Sequence, residues 1–214
     1  MAKSITEIIQ DYRNQGDHTG WFEVVYANAQ ANDTAPPWAS LSANREFVAW
    51  AEKTTLNGTG RNAIVVGCGL GDDAQYLATL GFQVTAFDVS PTAIEICQKR
   101  FPDTDVTYQQ ADLFALPDDW QASFDFVFEN RTIQALPTTL EQQSKTAIAN
   151  LVAENGQLVI LCHGRESHEP KRGIPWALSR QDLAFFTSEM HMTEQVFEEY
   201  TDDNFHRFLV LYQK

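Results

Sequence analysis

The side chains able to do chemistry stand just after short apolar runs. Gly67, Gly69 and Gly71 follow the run Ala63-Ile64-Val65-Val66 at alternate positions, and Asp72-Asp73 come next. Glycines so spaced let a chain turn tightly and bring bare backbone against a ligand. Asp88 and Val89 end a second apolar run, about twenty residues past the first glycine, where a nucleotide-binding unit places a carboxylate on ribose hydroxyls. Asp112-Leu113 close a third run. A fourth, Phe124–Phe128, opens into Glu129-Asn130-Arg131-Thr132-Ile133-Gln134. In an open α/β sheet the ligand lies beyond the carboxyl ends of the strands, so these side chains should point at it. Glu129 is then the best-placed base for an acceptor that must lose a proton, with Arg131 as a nearby cation. The plainer alternatives are a local Glu129–Arg131 ion pair and a turn-capping Asp112.

Those positions need a scaffold. Strands are expected over 62–66, 83–87, 106–110, 124–128 and 157–163, each short, apolar and rich in β-branched or aromatic residues. Between them the spacing predicts helices: one capped by Asp72 or Asp73, one opened by Ser90-Pro91, and one over 138–152 ended by a left-handed cap at Asn155-Gly156. Ser179-Arg180-Gln181-Asp182 reads as a capping box ahead of a further helix. Strands near 192–200 and 205–213, joined by Thr201-Asp202-Asp203-Asn204, read as a hairpin. About sixty residues precede the first strand. They read as helices over 4–14 and 21–30 and a third capped by Ser42, with Trp21, Tyr26 and Trp38 as a lid or as anchors to the sheet. Gly164 to Pro175 reads as a long mobile loop carrying Arg165 and His168. His163 or His168 can be a base, although a solvated histidine is the plainer reading.

The glycine spacing, the acid ending the second strand, the acid after the third, the helix–Asn-Gly–strand pattern and the terminal hairpin resemble class I S-adenosylmethionine-dependent methyltransferases. The resemblance covers about residues 60–163 well. Trp21-Phe22, Tyr26, Pro37-Trp38, Glu129 and the apolar Val65 before the glycines lean toward the thiopurine and halide/thiol methyltransferase-like branch. What it implies is a Rossmann-like α/β fold of one domain, residues 1–214. Residues 1–60 would form an N-terminal helical cap, and 61–214 a seven-stranded, mostly parallel sheet with helices on both faces and a C-terminal antiparallel strand. S-adenosylmethionine would be the cofactor, with Gly67, Gly69, Gly71 and Asp73 at the methionyl part. Asp88 and Val89 would hold the ribose, and Asp112 and Leu113 the adenine. Glu129 and Asn130 would adjoin the cofactor, Glu129 and Arg131 would be catalytic, and Trp38, Gln134 and Arg165 would shape the acceptor pocket. Most members carry an acid at the position of Val65, which leaves open whether Asp73 or backbone carbonyls hold the methionyl amine. The Asn-Pro-Pro-Tyr type motif of enzymes acting on DNA or glutamine amino groups is absent.

Composition narrows the partners. A net charge of −14 argues against nucleic acid or an anionic membrane, since both are polyanions, and points to a small-molecule acceptor. Cys68, Cys97 and Cys162 lack CxxC spacing, and the five histidines lack metal-ligand spacing, so neither disulfides nor a metal site is expected. With no signal-peptide pattern in Met1–Gln10 and no membrane-length apolar run, a cytoplasmic monomer or homodimer is expected. Two other functions fit the same half-fold: a nicotinamide-dependent oxidoreductase, and a protein that binds S-adenosylmethionine without catalysis.

Overall fold

The computed structural model describes residues 3–202 and 205–214. Its centre is β1 (Asn62–Val66), whose last four residues are buried. Parallel neighbours flank it, β2 (Gln83–Asp88) on one side and β4 (Phe124–Asn130) on the other. β3 (Thr107–Gln110) extends the sheet beyond β2, and β5 (Val152–His163) beyond β4. β7 (His206–Gln213) pairs antiparallel with both β5 and β6 (Thr193–Thr201). The order β3-β2-β1-β4-β5-β7-β6 therefore reverses direction between β1 and β4. There the connections leave to opposite faces and open a crevice at the strands' carboxyl ends. The expected seven-stranded, mostly parallel sheet is present. Asp203 and Asn204 of the hairpin turn lie outside the described residues.

Helices cover both faces because strands buried on two sides need apolar partners on each. On one face, Phe47 and Trp50 of α3 (Arg45–Lys53), Leu77 of α4 (Asp72–Thr79) and Ile94 of α5 (Pro91–Arg100) pack with Val65, Phe126 and Phe128. On the other, α6 (Thr132–Ala135), α7 (Glu141–Leu151), α8 (Arg180–Leu183) and α9 (Phe185–Ser188) bring Ile133, Ile148, Leu183 and Phe186 onto Ile64, Val127 and Ile160. Each such side chain contributes about 1.5–3 kcal/mol by leaving water. α1 (Ile5–Asn14) and α2 (Gly20–Ala31) form a smaller cluster of Ile8, Ile9, Trp21 and Val25.

Several boundaries depart from the sequence reading. Asn44, not Ser42, caps α3: its Oδ1 accepts from the amides of Glu46 at 2.9 Å and Phe47 at 3.2 Å. The residue before α4 is Gly71 in the left-handed region, while Asp72 pairs with Arg100 and Asp73 accepts from the amide of Asn44. β4 runs on through Glu129 and Asn130 because both still pair with β5, opposite Ile160 and Leu161. α7 ends at Leu151 and β5 begins at once, so Asn155, at φ 60°, sits within the strand rather than capping the helix. Trp120 is buried between Phe87 and Phe124.

Candidate active site

Each glycine of the loop after β1 is required for its own reason. All three have positive φ: 59° at Gly67, 56° at Gly69 and 85° at Gly71. A Cβ on Gly67 would stand 2.4 Å from Thr132 Oγ1, and one on Gly71 2.5 Å from the Tyr108 hydroxyl. Neighbouring elements forbid side chains at both. A Cβ on Gly69 would instead face α2, 3.1 Å from the Tyr26 hydroxyl.

Asp88 ends β2, buried, with each oxygen already accepting one backbone amide: Gly69 at 3.0 Å and Ser90 at 3.0 Å. Burial raises its pKa to about 6, against the pull of those amides. A carboxylate oxygen has a second lone pair, so Asp88 can still accept two hydroxyls. Asp112 is exposed at the far end of the crevice, its Oδ1 taking the Phe114 amide at 2.9 Å. Val89, Asp112 and Leu113 line the same cavity as Asp88.

The end of β4 holds the least satisfied polar groups. Asn130 Nδ2 donates to Asp73 Oδ2 at 3.0 Å. An ionised carboxylate only accepts, so the amide's orientation is fixed by chemistry, and its Oδ1 is left buried with no donor. Asp73 also accepts the Asn44 amide at 2.7 Å, and burial raises its pKa. Arg131 follows in the left-handed region, φ 67°, and lines the cavity. Among the described residues its guanidinium has no hydrogen bond or ion pair, its Nε is buried and unpartnered, and burial lowers its pKa. Glu46 and Asp73 act on it only at longer range.

Three expected site residues are elsewhere. Glu129 is 0% exposed and turned beneath the chain, where it accepts the amide of Ile133 at 3.1 Å. It does not line the cavity, so it cannot reach an acceptor as a base. Burial raises its pKa to about 7 and leaves Oε2 unpartnered. By taking amides at the start of α6, it holds the turn that aims Asn130 and Arg131. Gln134 is also fully buried. Its amide donates to the carbonyls of His163 at 2.9 Å and Trp176 at 2.5 Å and accepts the His163 amide at 2.8 Å, leaving nothing for a substrate. Arg165 is spent on the carbonyls of Glu166, Ser167, Glu169 and Ala177 and on Asp182 at 2.6 Å. The segment after β5, expected to be mobile, is pinned by this arginine, by Lys171 on Glu141 and Asp182, and by Trp176 Nε1 on the Leu136 carbonyl at 2.7 Å. His163 stacks on Phe205, off the cavity wall, and burial lowers its pKa to about 4.

The result is a cavity of about 430 Å³. Its floor is the glycine loop with Asp73, Asp88, Asp112 and Asn130. Its other half is apolar: Ile5 and Ile9 from α1, Trp21, Phe22 and Tyr26 from α2, then Leu136, Ile174 and Pro175. Trp38 stands at the rim, 42% exposed, its indole N–H on the Tyr26 hydroxyl at 3.3 Å and its ring edge-on to Trp21, Phe22 and Tyr26. Sequence reasoning missed Ile5, Ile9, Leu136, Ile174 and Pro175 as wall residues. The one signal was the i, i+4 pair Ile5/Ile9, which reads equally as helix packing.

Known proteins share this fold. Residues 63–156 match the family model of a methyltransferase domain. No curated protein matches the sequence. Among solved structures, the chain is similar to a protein solved in work on the conversion of a disulfide bond into a thioacetal group during echinomycin biosynthesis. Its TM-score is 0.71 at 21% identity, covering 90% of this chain and 92% of that one. It is also similar to the 1,6-didemethyltoxoflavin-N1-methyltransferase of Burkholderia thailandensis, solved with S-adenosylhomocysteine, at TM-score 0.70, 17% identity and coverage of 100% and 92%. A third similar structure is the [4+2]-cyclase SpnF, at TM-score 0.67, 15% identity and coverage of 79% and 80%. At such identities these three share the fold. Residues 63–156 thus carry a methyltransferase domain by the family match, and the chain as a whole shares the fold of these structures.

A methyltransferase domain implies S-adenosylmethionine as cofactor, and the residues present suit it. Acids line the cavity floor, a fit for a cationic ligand, and among the described residues the buried Asn130 Oδ1 has no donor.

Proposed function

We propose that the chain methylates a small-molecule nucleophile held against the apolar half of the cavity. In this reading the backbone of Gly67, Gly69 and Gly71 cradles the methionyl part. Asp88 and Val89 take the ribose, and Asp112 and Leu113 the adenine. Asp73 and Asn130 Oδ1 together receive the methionyl ammonium, in the role that Val65 cannot play. The observation that carries this is the unpartnered Asn130 Oδ1 beside the Asp73 carboxylate, since a buried acceptor left without a donor is destabilising by about 1–3 kcal/mol.

When bound, S-adenosylmethionine supplies a methyl group on a positively charged sulfur, an electrophile that needs positioning and dryness more than acid–base help. The protein's part follows from its wall. Ile5, Ile9, Trp21, Phe22, Leu136, Ile174 and Pro175 exclude water and orient an apolar acceptor. Among the described residues no base faces this half: Glu129 is sealed beneath the turn, and His163 lies off the wall. Arg131 is the cation of this wall, and it favours an acceptor that is already an anion. Thiolates and halides therefore suit the site better than amines or alcohols, which would need a proton removed. A methyl-transfer screen with labelled cofactor over thiols, halides, amines and carboxylates tests this. Turnover is expected first with thiols or halides. Turnover confined to amines or alcohols would contradict the reading.

A further inference from the structure

Packing alone does not hold α2 over the cavity. Glu23, in its first turn, reaches across to the start of α5. Its Oε2 accepts from Ser90 Oγ at 2.6 Å and from the Thr92 amide at 3.1 Å, and its Oε1 from Thr92 Oγ1 at 2.6 Å. The first amides of a helix have no partner within it, so Glu23 caps α5 from a different element. Burial pushes the Glu23 carboxyl up, but these hydrogen bonds outweigh it and hold the pKa below the usual range. A negative charge at a helix amino end is favourable in its own right. Among the described residues, Glu23 is the side chain of α2 that hydrogen-bonds to the α/β core.

The same turn serves the candidate ribose acid. The Ser90 amide donates to Asp88 Oδ1 at 3.0 Å, and Ser90 Oγ accepts the Ala93 amide at 3.0 Å while donating to Glu23. Ser90 thus stands between Asp88 and Glu23. On α2, Glu23 is flanked by Trp21, Phe22 and Tyr26, which line the cavity.

We propose that Glu23 is the latch of the lid: by capping α5 it seats α2 where Trp21, Phe22 and Tyr26 close the cavity, and through Ser90 it couples that closure to a ligand at Asp88. Glu23 touches no ligand and acts as a positioning residue. The coupling rests on the reading of Asp88 as the ribose site; the latch itself does not. Opening the lid to exchange ligands breaks three hydrogen bonds on one turn, and a ligand that steadies this turn slows opening.

Amide hydrogen exchange on the full chain, with S-adenosylhomocysteine as probe, tests both parts. Without ligand, Glu23→Ala should speed exchange across 20–31 by about tenfold, the scale of a lost helix cap, while β1 and β4 keep wild-type protection. Glu23→Gln, which keeps an acceptor oxygen, should restore most of that protection. The ligand should slow exchange in 20–31 of the wild type and do so much less in Glu23→Ala. Unchanged exchange in 20–31 of ligand-free Glu23→Ala, or an equal rise in β1 and β4, would overturn the latch. Equal ligand protection of 20–31 in wild type and Glu23→Ala would overturn the coupling. If the wild type shows no ligand protection anywhere, the cofactor assignment and the coupling fall, and the ligand-free comparison still decides the latch.

Discussion

A carboxyl group sealed from water, as Glu129 is, ionises late and at the expense of stability. Its pKa is raised from 4.5 to about 7, so the folded state binds that proton more tightly than the unfolded one. Stability from this group is complete below pH 4.5 and is lost as pH rises to 7. Glu129→Gln removes the titration and keeps an oxygen for the Ile133 amide. Its stability relative to wild type, measured by urea unfolding, should improve between pH 4.5 and 7.5 by on the order of 2–3 kcal/mol. A flat difference across that range would show that Glu129 is not buried as described. At this scale the sequence was most legible where a role belongs to the backbone or to a strand end. Gly67, Gly71 and Asp88 sit in the turn and at the strand tip that their spacing implied. Glu129, Gln134 and Arg165 were misread because polarity near a strand end says nothing of direction: each is turned inward by amides and carbonyls from α6, β5 or the following loop.

The loop, helix and lid elements fit through contacts that are remote in sequence. Gly67 packs under Thr132, whose hydroxyl also donates to the Val66 carbonyl at 3.0 Å. Gly67→Ala should therefore destabilise the ligand-free protein by about 1–3 kcal/mol, through positive φ and the clash, before any question of binding arises. Wild-type stability with lowered S-adenosylhomocysteine affinity alone would mean that the glycine serves only ligand approach. Strands and helices announced themselves through apolar periodicity, and Ser90-Pro91 and Ser179–Asp182 through capping chemistry. The cap of α3 and the start of β5 were misplaced because tertiary pairing decided them. Asn44 is fixed by Asp73 from across the crevice, and Val152 by Phe124. Glu23 gave no signal, since an acid in a first helical turn is ordinary.

For the molecule as a whole, the order β3-β2-β1-β4-β5-β7-β6 puts the glycine loop, Asp88 and Asn130 at one crevice, and the segments before β1 and after β5 roof it. That architecture was readable from the alternation of strands and helices and from the terminal hairpin. The shape of the roof was not, because it depends on how two helices, α1 and α2, and a pinned loop meet over the sheet. Against a net charge of −14, the cavity sets a cluster of acids on its floor and the cation Arg131 on its wall. The direct measurement is a crystal structure of the protein with S-adenosylhomocysteine. The ribose hydroxyls are expected on Asp88 and the methionyl nitrogen within hydrogen-bonding distance of both Asp73 and Asn130 Oδ1. A ligand bound outside this crevice, or one whose nitrogen leaves Asn130 Oδ1 unpartnered, would contradict the assignment.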